Sequence, residues 1–503
     1  MNFIKIISFT LFVFFNICSF STNHQEKKET ILTVAQEKDP LTFDPHFGND
    51  GFSLRINRLL YSRLIEKDSN MKNIPGIAKS WKILTPTEIE FKIFNNIYFQ
   101  NGEKLNIEDI IFSFERMKNS PRISAFLPPI ESIKKIDNET IIMTLKTPFS
   151  GVIDQLTHPA LSIVSKNYLK NNNKILIDYP IGTGPYKLLK WKPGENIHLK
   201  KFENFHGNNK NYDEIIIKII PLATNRTIAL ETGEVDLAFS LPVQDKQIIV
   251  NNKSLNFISK PSYSYSYVGL NLKKDIFKNK NIRTAIDLAI NKNSILEVVL
   301  NGEGIIATSP VAKGVFGFNP KLKPSEFNPN KAREILKNKN LKLTLATLSN
   351  GIDIKTAELV QNYLNEVGVT VQIDILEPSV YWSKTNNGDY DMFIGAWGTV
   401  TGDSDYALFP THSSTSFGSA GNRTFFSNKE VDRLLKKSRE TLSPQEREQY
   451  FYNIQEIIVN NKSEIMLFYR NLNAGISKNI KGFDLYPIPI HNYSLGTIYQ
   501  SDN

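Results

Sequence analysis

Leu341-Lys342-Leu343-Thr344-Leu345 alternates apolar and polar residues, and Val369-Thr370-Val371-Gln372-Ile373-Asp374-Ile375 does the same about 25 residues later. Between them Ile354, Ala357, Leu364 and Val367 recur at helical spacing, and Gly368 is placed to end that helix. Two strands joined by a crossover helix imply a parallel pair, and a parallel pair implies an α/β sheet. This unit decides the fold class.

Working outward, the rest of the chain alternates strand-like and helix-like segments without a long linker. Glu88–Ile93 has the period of a half-buried strand, and Asn106 precedes a helix that puts Ile107, Ile110, Ile111 and Phe114 on one face. Past Pro180 the texture turns strand-rich, with Ile197-His198-Leu199 and Ile215–Ile219. Ser443-Pro444-Gln445-Glu446 is a capping box that opens another helix, whose buried side is Tyr450, Ile454, Ile457 and Ile458.

At the N-terminus Lys5 leads an apolar run, Ile6 to Phe15, that is too short to span a bilayer. Ser19-Phe20-Ser21 then supplies the small-x-small pattern of a cleavage site, so residues 1–21 are expected to be a secretory signal. The product is expected outside the cytoplasm, in a periplasm or at the outer face of the membrane. Cys18 is the single cysteine. Its thiol is a candidate for a lipid anchor, although Ile17 is bulkier than the residue lipoprotein processing prefers. Either outcome excludes a disulfide framework and a thiolate metal site.

The 503 residues are ordinary in composition and carry a formal charge of +9. Such a balance suits nucleic acid, an acidic membrane surface or an anionic solute. The lysines are dispersed rather than gathered with aromatics, which argues against a nucleic-acid partner.

Several segments, in order, resemble the family 5 extracellular solute-binding proteins of ABC importers, the dipeptide, oligopeptide and nickel receptor class. They are Asp39-Pro40-Leu41-Thr42-Phe43-Asp44-Pro45, Leu60–Ile65, Pro75–Trp81, Phe99–Glu103 through Phe112–Arg116, Gly182–Tyr186, Ala229–Asp236 and Arg283-Thr284-Ala285. The resemblance implies a type II periplasmic-binding-protein fold, with two hinged α/β lobes and an extra inserted domain. It places the first lobe at about 30–62, 181–261 and 476–503, the inserted domain at 63–180 and the second lobe at 262–475. It also implies a monomeric receptor without a cofactor that hands a small peptide-like ligand to ABC permease subunits.

The loop Gly395-Ala396-Trp397-Gly398-Thr399-Val400-Thr401-Gly402-Asp403-Ser404-Asp405-Tyr406 follows the strand-like run Met392-Phe393-Ile394, where open α/β sheets bind ligands. Peptide receptors of the family carry an acid three residues past this Trp, for the ligand's ammonium; here Val400 occupies that place. The pattern is closer to the glutathione-binding subgroup, as is Ser419–Asn428. The expected ligand contacts are therefore Trp397 as an apolar wall, Thr401 as a hydroxyl, Asp403 or Asp405 for an ammonium, Arg423 with Asn422 for a carboxylate, and Tyr267 from the alternating run Tyr263–Tyr267. Each has a structural rival. Asp403 and Asp405 suit a helix cap or a turn, Trp397 suits core packing, Arg423 suits an ion pair, and the tyrosines suit cross-strand packing.

No nucleophile elbow, phosphate-binding glycine loop or His-Glu-x-x-His helix occurs, so an enzyme is not expected. A nickel-chelate or haem receptor of the same fold is the alternative. His46, His158, His198, His206, His412 and His491 have no ligand-like spacing, and His412 is the one nearest the Trp397 loop.

Overall fold

The computed structural model describes residues 29–48, 50–120, 122–124, 127–170, 176, 178–207, 212–493 and 498–500. The expected signal and Cys18 lie outside them. Ten strands form the main path of one mixed sheet: β1 (Ile31–Gln36), β2 (Tyr186–Lys192), β3 (Asn196–Lys201), β4 (Glu214–Ile219), β5 (Leu237–Phe239), β6 (Leu255–Leu270), β7 (Lys342–Leu348), β8 (Thr370–Leu376), β9 (Met392–Gly398) and β10 (Glu464–Ser477). Their order is β8-β7-β9-β6-β10-β5-β1-β4-β3-β2.

The 341–376 unit folds as its pattern requires. β7 and β8 pair in parallel, from Lys342 opposite Thr370 to Leu348 opposite Leu376. The crossover is α2 (Gly351–Glu366), capped by the Asn350 side chain on the Asp353 amide, and Gly368 follows it at φ +84°. An earlier helix, α1 (Gly51–Leu60), is capped by Asp50 and packs in the other half of the molecule. There β1 lies parallel to β4 and β5, with Leu32, Val34, Ile215, Ile217 and Leu237 in one core.

β6 and β10 are long because they belong to both halves. The first part of β6 pairs with the last part of β10, from Leu255 opposite Ser477 to Pro261 opposite Asn471. Its second part pairs with β9 as well, from Ser264 opposite Gly398 to Leu270 opposite Met392. One register shift falls between Pro261 and Tyr265, where one half gives way to the other, and a second between Ser266 and Tyr267.

A separate four-stranded antiparallel sheet takes the order 78–85, 88–93, 140–145 and 130–135. The helix Ile107–Lys118, with a capping box at Asn106 and Asp109, adds Ile110 and Phe114 to its apolar cluster. Tyr486, Ile488 and Ile490 join that cluster from the C-terminal end, so the inserted segment is anchored to the body by apolar burial.

Candidate functional site

β9 ends at Gly398, and the chain turns at once. Thr399 Oγ1 accepts hydrogen bonds from the amides of Thr401 (3.2 Å) and Gly402 (3.1 Å). Gly402 sits at φ +80°, in the left-handed region that a side chain disfavours. Asp403 then caps α3 (Ser404–His412), accepting from the Asp405 amide at 2.8 Å. The loop is thus built by short side chains bonding to their own backbone.

Beside this loop lies a cavity of about 510 Å³. Thr147, Pro148, Phe149 and Gln155 of the inserted segment form one wall. Trp397, Tyr406, Phe409, Pro410, Ser419, Ala420, Gly421 and Arg423 form the other, with Asp405 and Arg439 at its polar part. Trp397 and Tyr406 stack nearly parallel, 15° apart with ring centroids separated by 6.4 Å, and Trp397 Nε1 donates to the Tyr406 carbonyl.

Three of the seven sequence-predicted residues line this cavity: Trp397, Asp405 and Arg423. Arg423 is half-buried, with its guanidinium 4.6 Å from the Trp382 ring centroid and its Nε donating to Asn386 Oδ1 at 2.9 Å. Both Nη groups are without a hydrogen-bond partner among the described residues. Asp405 has both oxygens held by Arg439, at 2.7 and 2.9 Å.

The other four take internal partners. Asp403 is gripped in parallel by Arg447 at 2.6 and 2.9 Å, with both side chains buried. Burial pushes the Asp403 carboxyl up, against the pull of that guanidinium. Thr401 is buried and its hydroxyl meets Thr399 Oγ1 at 3.2 Å. Asn422 is fully buried and staples its own loop, donating to the carbonyls of Ser413 and Phe426. Tyr267 is buried in β6, stacked on Tyr265 at 5.1 Å and set edge-on to Phe393, so the tyrosine run packs as an aromatic strand.

Val400 has a clear physical setting. Its side chain packs against the apolar cluster that holds Met71, Tyr486 and Ile490, and its carbonyl accepts from His491 Nε2 at 3.1 Å. An acid at that position would meet hydrocarbon. His412 is also internal: its Nε2 meets Glu464 at 3.1 Å and its Nδ1 meets Thr411 at 2.7 Å. Among the described residues no three His, Cys, Asp or Glu side chains gather as a metal site.

Sequence reading missed Arg439, Tyr406, Phe409 and Phe149. Tyr406 and Phe409 belong to α3, directly after the loop, and were legible as its continuation. Arg439 closes the helix α4 (Lys429–Glu440), and Phe149 lies some 250 residues before the loop; nothing local marks either.

Similarity to known proteins bears on what such a cavity serves. Residues 72–419 match the family of bacterial extracellular solute-binding proteins, family 5. The chain belongs to that family. Its relatives include the glutathione-binding protein GsiB of Escherichia coli K12, 29% identical over 477 residues, covering 91% of this chain and 92% of GsiB. Among solved structures, the ABC transporter-associated periplasmic binding protein DppA of Helicobacter pylori, in complex with the peptide STSA, superposes with a TM-score of 0.82 at 26% identity, covering 95% and 99% of the two chains. NikZ of Campylobacter jejuni, in complex with Ni(L-His), gives 0.80 at 24% identity over 93% and 99%, a likeness of fold. This family 5 protein therefore has the type II periplasmic-binding-protein fold, in which β6 and β10 are the strands shared by two halves, and its relatives are solute-binding proteins.

Proposed function

We propose that this chain is the substrate-binding receptor of an ABC importer and that it captures a short peptide-like solute, glutathione or a similar peptide, between two closing lobes. The observation that carries the reading is Arg423, whose guanidinium is fixed on Trp382 and Asn386 while its Nη edge remains for a ligand carboxylate at the cavity. Trp397 and Tyr406 supply the apolar wall that such pockets need. Asp403, Thr401, Asn422 and Tyr267 are assigned to support this wall from behind, since their polar atoms or rings face protein.

The lobes are assigned as 30–62 with 181–261 and 476–503, and as 262–475, with 63–180 inserted. The two crossing strands and the separate four-stranded sheet support that division. Export after residue 21, delivery to permease subunits, action as a monomer without catalysis, and the choice between a lipidated Cys18 and cleavage beyond it complete the reading. No helix among the described residues is long and apolar enough to cross a membrane.

Calorimetric titration of refolded protein with reduced and oxidised glutathione, di- and tripeptides and nickel–histidine tests it. A peptide-like ligand should bind, and Arg423→Ala should weaken it by roughly 10- to 100-fold, the worth of a hydrogen bond to a charged group. Binding confined to nickel–histidine would move the protein to the metal-chelate class. Undiminished peptide binding by Arg423→Ala would remove the site.

A further inference from the structure

The charge lining the cavity is unbalanced. Its charged residues are Arg423, Arg439 and Asp405: two guanidiniums and one carboxylate. Asp405 is already engaged at both oxygens by Arg439 Nε and Nη2, so its charge is matched within the protein and it is a weak counter-ion for a ligand ammonium. Arg439 is held on its other faces too. Its guanidinium carbon lies 3.3 Å from the Phe409 ring centroid and 5.3 Å from that of Phe149, and the side chain is 29% exposed. Nη1 bonds to no described residue. Packing has thus frozen an arginine with one donor edge still available, beside a second arginine in the same condition.

We infer that Arg439 is a second anion-binding and specificity-determining residue of the cleft, and that the preferred ligand is a peptide-like solute carrying two carboxylates. The inference rests on the peptide reading above and narrows it. A peptide with one carboxylate and one ammonium brings no net charge, so closure around it, with Asp405 on Arg439 and the ligand carboxylate on Arg423, buries one net positive charge and leaves the ammonium without a counter-ion. A peptide with a second carboxylate brings one negative charge and cancels the excess. Its ammonium meets the faces of Trp397 and Tyr406 instead of a carboxylate.

Arg439 also touches the opposite wall. Its main-chain carbonyl accepts from the Ser150 amide at 2.8 Å, and the single Ser150 hydroxyl proton has the carbonyls of Arg439, Ser438 and Thr441 within reach. At the end of α4 the Thr441 amide satisfies the Lys437 carbonyl, and the Arg439 carbonyl is satisfied by Ser150 from across the cleft. A ligand that bonds the Arg439 side chain bonds a residue already clamped across the cleft. Charge recognition and closure meet at one position.

The test is calorimetry with Ala-Ala-Ala, Glu-Ala-Ala, Ala-Ala-Glu and reduced glutathione. The wild-type protein should prefer at least one ligand with two carboxylates over Ala-Ala-Ala by roughly 10- to 100-fold. Arg439→Gln should bring that ratio close to one. Asp405→Asn with Arg439→Gln, which keeps amide hydrogen bonds without leaving a lone carboxylate, should do the same if the single variant folds poorly. Ser150→Ala should weaken every ligand by a common factor. Equal wild-type affinity for the single- and double-carboxylate ligands would overturn the inference while leaving the peptide reading intact. So would a ratio unchanged by Arg439→Gln, or a Ser150→Ala effect confined to the ligands with two carboxylates. Failure of all four to bind would overturn both readings together.

Discussion

Asp403→Ala separates a structural acid from a ligand-binding one. In the folded chain its carboxylate receives two parallel bonds from Arg447, and both side chains are about 5% exposed. Removing the acid leaves the guanidinium buried against the rings of Phe316 and Phe451, with only its Nε still bonded, to the Ser438 carbonyl. Breaking a buried pair in this way costs about 3–5 kcal/mol. Loss of the α3 cap adds about 1 kcal/mol. The expected total of about 4–6 kcal/mol is a large share of the 5–15 kcal/mol typical of a domain. The urea slope of a chain this long exceeds the roughly 1–3 kcal/mol/M of small proteins, so the midpoint should fall by at least several tenths of a molar, on the order of 0.5–1 M. The transition is followed by tryptophan fluorescence, to which Trp382 and Trp397 contribute from the half that contains β7, β8 and β9, together with Trp81 and Trp191. Asp403→Asn keeps the cap and one bond, so it should lose less. An unchanged midpoint together with more than tenfold weaker ligand binding would refute the assignment and return Asp403 to the ligand.

Two further outcomes follow from buried features. Burial, aided by Arg116 beside His46 and Arg63 beside His158, lowers both histidines to about 4. Between about pH 6.5 and 4 the unfolded chain binds protons that the folded chain refuses, so stability is full above 6.5 and falls as pH drops, by roughly 3 kcal/mol for each histidine. Urea midpoints from pH 7.5 to 4.5 should show this slope, and His158→Gln should flatten it; an unaltered slope in the variant would exclude His158 as its source. Gly402→Ala should cost about 1–2 kcal/mol, because φ is +80° although a methyl group has room, its nearest neighbours being Met71 atoms at 3.7 Å. A loss of less than about 0.5 kcal/mol by thermal or urea unfolding would mean that the loop relaxes.

The sheet was legible because period and capping are local. Lys342–Leu376 carried alternation, helical spacing and a terminal glycine in one uninterrupted stretch, and its register followed. The caps at Asn106 and Ser443 were legible for the same reason: a side chain bonds an amide three residues away. The site resisted because its partners are remote. Asp403 and Asp405 look alike in sequence, yet one lines the cavity and the other does not, and the difference is set by Arg447 and Arg439, 44 and 34 residues further on. Tyr267 could not be told from a cleft residue, since alternation gives two faces without saying which is covered. Val400 stands out in the sequence as a departure, but its cause, an apolar cluster built from residues near 71 and near 490, has no trace beside it in the chain.

The shared strands also impose an order of assembly. Leu255 waits for Ser477, Gly269 for Glu464 and Leu237 for Ile476, so each half lacks a neighbouring strand until the last tenth of the chain has been made. Pairings so distant form slowly. A ribosome that stopped before residue 464 would leave both halves open rather than one half complete. The two groups of strands therefore stay unjoined through most of synthesis, and the central sheet closes only once nearly the whole chain is available.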